Sequence, residues 1–158
     1  MTITTVQQDI LQNRGLVIHE EQDILYRAAG SDPLPRPEQS HPPPPGPTVN
    51  LSVDERLPFR FSALTYNAHR IHYDHDWCRR EGYAGLVIHG PLLALMMGEH
   101  MRRNGVSLVD KIFDYRLISL MNMPQTFSVV PCQRGLQKGA EPRGAAGDVS
   151  AISTRLNS

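Results

Sequence analysis

Between Pro33 and Pro47 the chain carries eight of its thirteen prolines, including the unbroken run Pro42-Pro43-Pro44-Pro45. A segment so poor in backbone donors cannot join a helix or a sheet interior, so it is read as an extended linker or surface loop. The basic residue that usually flanks an SH3 or WW ligand is not in its customary place, so a linker is the better reading. The tract divides a short N-terminal segment from a body that begins near Leu51. Three regions are therefore expected: strands within 1–30, a Pro-rich linker over 31–50, and a folded domain over 51–158.

The N-terminal segment has the spacing of strands. Ile3, Val6 and Ile10 lead to a turn placed at Gly15, after which Leu16-Val17-Ile18 and Ile24-Leu25-Tyr26 frame a polar stretch. Two such strands cannot stand alone in water, so they must complete a sheet belonging to something else. In the body, Phe59-Arg60-Phe61 reads as a short strand or extended lead-in, followed by a polar, His-rich loop. Gly90 and Pro91 then open a helix rich in Leu, Ala and Met, apolar on nearly all sides until Glu99, and closed by Gly105. Strands are predicted over 112–120, 125–130 and 149–155, with a turn at Asn122-Met123-Pro124 and an exposed hairpin loop over 133–147. The pattern gives one largely buried helix held by an antiparallel sheet, an α+β arrangement.

Sixteen basic and sixteen acidic side chains balance, so nucleic acid is not an expected partner. Cys78 and Cys132 form no CxxC pair and point to a reducing compartment. The start of the chain lacks the features of a signal peptide, and the apolar run 84–98 is too short to span a bilayer. A cytoplasmic protein that does not engage membranes is expected.

The densest polar cluster is Tyr66-Asn67-Ala68-His69-Arg70-Ile71-His72-Tyr73-Asp74-His75-Asp76. On a helix His69 and His72 would share a face, but the spacing matches no established zinc pattern, and no metal is expected. A neutral imidazole suits proton transfer near pH 7, and the helix opening at Gly90 offers free N–H groups to a carbonyl oxygen that gains charge. Together these are the parts needed for enolate chemistry on a thioester. Arg70 could meet a phosphate or pair with Asp74 or Asp76. His89 could touch substrate, although a hydrogen bond to backbone is the plainer reading. His69 and His75 read as solvated histidines, and the pair Met96-Met97 as core.

The run Phe61 to Asp74, with the run Glu81 to Leu92, resembles the MaoC-like hot-dog hydratases. It is most similar to the branch containing the type 2 hydroxyacyl-thioester dehydratases and the mesaconyl- and itaconyl-CoA hydratases. The resemblance is specific from Phe59 to Leu95. Residues His19 to Arg27 are similar to the segment that ends the first of two hot-dog repeats in that branch. The resemblance implies a hot-dog fold and reversible hydration of an acyl thioester. It places His72 as the catalytic histidine, Gly90 as the amide that holds the thioester oxygen, and Asn67 where the general pattern has Asp. An amide cannot ionise, so Asn67 can orient water but cannot be the general base. No metal or redox cofactor is implied, because CoA or phosphopantetheine arrives with the acyl-CoA or acyl-carrier-protein substrate. A biosynthetic tailoring enzyme or a non-catalytic subunit of a heteromeric dehydratase are the alternatives. A single repeat also implies a partner, either a second copy in a homodimer or another hot-dog subunit in a heterodimer.

Overall fold

The computed structural model describes residues 2–26, 45–134, 137–144 and 149–157. The proline-rich linker lies for the most part outside the described residues. The chain forms two compact units, one up to Pro35 and one from Arg36.

The first unit is a hairpin of β1 (Thr2–Gln12) and β2 (Gly15–Tyr26). Its antiparallel register runs from Thr2 opposite Tyr26 to Gln12 opposite Gly15, with a shift at Ile10/Leu11. The turn differs from the expected one. Asn13 and Arg14, at φ 50° and 66°, make it, and Gly15 already belongs to β2. Two consecutive left-handed residues give the strand twist that a two-residue hairpin requires. One face carries a polar ladder in which Thr5 Oγ1 donates to Asp23, Gln7 Nε2 donates to Glu21, and His19 Nδ1 meets Asp9. Ile3, Ile10, Leu11, Leu16, Val17, Ile18 and Leu25 are exposed.

The second unit begins with β3 (Val49–Val53) and α1 (Arg56–Thr65). A single 3₁₀ turn (Arg70–His72), α2 (His75–Arg80) and α3 (Gly90–Arg103) follow. The strands β4 (Lys111–Leu117), β5 (Gln125–Arg134), β6 (Gln137–Arg143) and β7 (Ala151–Asn157) complete it. The sheet order is β3-β5-β6-β7-β4, with every neighbouring pair antiparallel. Helix α3 buries Leu92, Leu93, Ala94, Met97 and Met101 in a core shared with Phe127, Val129, Ala140 and Ala151 of the sheet. This is the expected α+β arrangement. Gly105, at φ 72°, follows the helix end as anticipated.

Three readings need correction. Phe59-Arg60-Phe61 is helix, not strand. Asp54 Oδ1 accepts the Arg56 N–H to start α1, and Leu57, Pro58, Phe61 and Ser62 turn inward at helical spacing while Phe59 and Arg60 stay exposed. The loop expected over 133–147 contains strand β6; residues 135–136 and 145–148 lie outside the described residues. Its charges are the reason it reads as loop, yet Glu141 and Arg143 form an ion pair with little exposure and so belong inside the sheet. The last strand runs over 151–157 rather than 149–155.

Gly139 sits where β6 meets β7, and a Cβ there would collide with the Ser153 carbonyl oxygen. Neither backbone can yield without breaking the ladder, so Gly139→Ala should destabilise the domain by about 1–3 kcal/mol, as overpacking does. A urea midpoint equal to wild type would contradict this close contact.

Candidate functional site

The site is built on a short sequence of turns. Helix α1 stops at Tyr66, which takes φ 53°, and the Asn67 N–H returns to the Ser62 carbonyl at 3.0 Å. The Asn67 side chain then braces the next turn, its Oδ1 accepting the His69 N–H at 3.0 Å. Asp74 holds the far side. It accepts from the Trp77 N–H at 2.9 Å as the N-cap of α2, and from the Arg70 guanidinium at 2.6 Å and 3.0 Å. These contacts, the Trp77 N–H first, hold its carboxyl below the usual range. Arg70 also lies over the Trp77 ring at 4.3 Å, so this guanidinium is engaged in structure.

The 3₁₀ turn between these braces presents His72, which is buried. Its main chain and that of the segment entering α3 are joined. The Val87 N–H donates to the Ile71 carbonyl at 2.9 Å, and the His72 Nδ1–H donates to the Val87 carbonyl at 2.7 Å. A carbonyl can only accept, so the proton of the neutral ring is on Nδ1 and the lone pair on Nε2. Burial lowers the pKa of His72, the Val87 contact opposes that fall, and His69 at its edge adds to it. A neutral imidazole with a fixed Nε2 lone pair is suited to taking a proton.

His89 precedes α3 and has no exposed surface. Its partner is the Ser62 hydroxyl, 2.9 Å from Nε2, rather than the backbone group expected. Its ring stacks on His72 at 3.5 Å, and burial followed by the field of His72 pushes its pKa down to about 4. The next residue is Gly90. Pro91 has no N–H, and those of Leu92 and Leu93 both go to the His89 carbonyl, so the Gly90 amide is the donor left in this first turn.

The structure thus brings His72 and the head of α3 together through His89. Asn67 is half-buried, and its side-chain oxygen is engaged by the His69 N–H rather than by His72. His69 and His75 are exposed, with His75 Nε2 2.8 Å from Glu55. Met97 is core, and Met96 is partly buried against it. Among the described residues no three His, Cys, Asp or Glu side chains gather as a metal site would require. Beside this arrangement, a surface cleft of about 390 Å³ is lined by Glu55, Arg56, Phe59, Arg60, Tyr73 and Leu86. Sequence reasoning missed Ser62; its signal is the inward spacing of α1, visible once that segment is read as helix. The Val87 carbonyl has no sequence signal, because any residue supplies one.

Both buried imidazoles bind a proton more weakly in the native state than when unfolded, so their linkage has one sign. The contribution is intact above the unfolded value of 6.5 and is lost as pH falls from there through about 4 for His89. Urea unfolding followed between pH 7 and pH 4 should show stability falling by up to about 3 kcal/mol from this source. A flat profile would mean the rings are not held neutral.

Comparison with known proteins follows the same outline. The model of the hydroxyacyl-thioester dehydratase type 2 family matches residues 1–123. The chain is 48% identical over 107 residues to mesaconyl-C(4)-CoA hydratase of Chloroflexus aurantiacus, covering 66% of this chain and 38% of that protein. It is 41% identical over 71 residues to the mitochondrial hydroxyacyl-thioester dehydratase type 2 of Schizosaccharomyces pombe, covering 42% of this chain and 24% of that one. The chain therefore spans well under half the length of these relatives. Among solved structures, HtdX of Mycobacterium tuberculosis superposes with a TM-score of 0.67 at 13% identity, over 99% of this chain and 68% of that one. The unliganded R-hydratase PhaJ1 of Pseudomonas aeruginosa gives 0.55 at 12%, over 70% and 77%. These likenesses establish the hot-dog fold. By the extent of the family match, the chain belongs to the type 2 hydroxyacyl-thioester dehydratase family.

Proposed function

We propose that the chain is the catalytic-type hot-dog repeat of a hydro-lyase that adds water to, or removes it from, the α,β bond of an acyl thioester. The observation that carries this reading is the fixed tautomer of His72 beside the head of α3. In the hydration direction, the His72 Nε2 lone pair takes a proton from water as the water oxygen bonds to the β-carbon. The electron pair of the double bond moves toward the thioester oxygen, which the Gly90 N–H stabilises. His72 then returns its proton to the α-carbon, so water adds across the bond and the imidazole ends neutral. Asn67 orients the water or leaving hydroxyl, and Arg70, exposed beside this turn, is the candidate for a substrate phosphate, whereas His89 has no exposed surface and lies behind His72. The substrate brings its own CoA or phosphopantetheine, and the reading asks for no metal or redox cofactor.

The segment 1–30, which contains the β1–β2 hairpin, is assigned to the end of a preceding hot-dog repeat, 31–50 to the linker, and 51–158 to the catalytic-type domain. The exposed apolar residues of the hairpin support this, as does the match of HtdX over nearly the whole chain within a longer protein. A second copy of the chain is the partner favoured. A different hot-dog subunit is the second reading, supported by the likeness to the ChsH1-ChsH2 complex of Mycobacterium tuberculosis, with a TM-score of 0.52 at 14% identity. Cys78 and Cys132 are buried and are not joined in a disulfide, which suits a reducing cytoplasm. No described helix is long and apolar enough to cross a membrane.

His72→Ala should lower kcat/KM for hydration of crotonyl-CoA by about 10²–10⁴-fold while the circular dichroism spectrum stays that of wild type. Unchanged turnover in this variant would overturn the assignment.

A further inference from the structure

His89 is clamped from three directions. Its ring lies face to face with His72, 3.5 Å between centroids and 16° between planes. The edge of Phe61 meets it at 4.9 Å, and the Ser62 hydroxyl holds Nε2 at 2.9 Å. Phe61 and Ser62 both come from α1, so the helix supplies a wall and a tether together. The remaining nitrogen, Nδ1, is buried and has no hydrogen-bond partner among the described residues. An unmade hydrogen bond of that kind is unfavourable, and an apolar side chain in the same place would avoid it. Simple packing therefore does not account for a histidine here.

Geometry supplies a role. The Val87 carbonyl fixes where His72 Nδ1 points, but one hydrogen bond leaves the ring free to roll about that contact. A flat neighbour stacked on one face removes the roll, provided that neighbour is itself fixed, and Ser62 fixes it. His69 meets His72 edge-on at 5.8 Å and cannot substitute for the stack.

We propose that Ser62 and His89 are positioning residues that lock the plane of the His72 ring, so that Nε2 keeps one direction during both proton transfers. The proposal rests on the hydro-lyase reading for its kinetic consequence, but not for its structural one. Outer partners of this kind fix a histidine's tautomer and orientation, and their loss commonly costs 10-fold or more.

The test uses the full chain with Ser62→Ala, Ser62→Thr and His89→Gln, read by kcat and KM for crotonyl-CoA and by ¹⁵N NMR of the His72 ring. Ser62→Ala should lower kcat about 10-fold with KM changed by less than about 2-fold. The His72 ring should keep the Nδ1–H tautomer imposed by the Val87 carbonyl, while its Nε2 signal shifts and broadens as the ring rolls about that bond. Ser62→Thr retains the hydroxyl and should restore both readouts. His89→Gln can still reach Ser62 but offers no ring to stack on, and should behave as Ser62→Ala does. Wild-type ring signals in both Ser62→Ala and His89→Gln would overturn the positioning role whatever the activity. A wild-type chain inactive on thioesters, with ring signals still altered in these variants, would overturn the hydro-lyase reading and sustain the positioning pair.

Discussion

The hydrogen bond from His72 Nδ1 to the Val87 carbonyl is the contact on which the site depends. It joins a one-turn 3₁₀ segment to the strand-like stretch that leads into α3, and does so inside the core rather than at its surface. The return bond from the Val87 N–H to Ile71 makes the junction two-sided. The stretch is anchored again on its other side, where the Ile88 N–H reaches Met121 and the Met123 N–H reaches Leu86. The imidazole thus borrows its rigidity from main-chain pairing, and the side chains around it refine an orientation the backbone has already restricted.

Burial and electrostatics act together here. Taking two imidazoles out of water favours their neutral forms, and placing them face to face makes a second positive charge costlier still. The charged residues nearby serve the scaffold. Arg70 and Asp74 satisfy one another, and Asp74 also caps α2. The same division holds across the sheet, where Glu141 and Arg143 neutralise each other within β6.

Much of the fold was legible because its elements carry strong local signals: Gly90-Pro91 at a helix start, Gly105 past its end, and alternating apolar residues in β4 and β5. The candidate site was pointed to by the resemblance carried on Asn67, His72 and Gly90, and of these the structure brings His72 and the head of α3 together through the His89 ring. Three features escaped for physical reasons. The aromatic alternation of Phe59 and Phe61 imitates a strand, while the inward residues that make α1 a helix include Pro58 and Ser62, which do not look like core. The charges of β6 imitate a loop because a lone sequence does not show that they pair. The Val87 carbonyl is invisible because hydrogen bonding by the main chain leaves no mark on residue identity.

Pro91 at the head of α3 has one more consequence, best seen as a count of donors. A carbonyl oxygen has two lone pairs. One seated at this helix end would meet a single backbone N–H, that of Gly90, since the proline has none and the next two amides are already committed to His89. Its second lone pair must be met from beyond the helix, by ordered water, by the ligand itself or by another chain. The helix end is thus half of a cradle, and what supplies the other half will decide how tightly the oxygen is held.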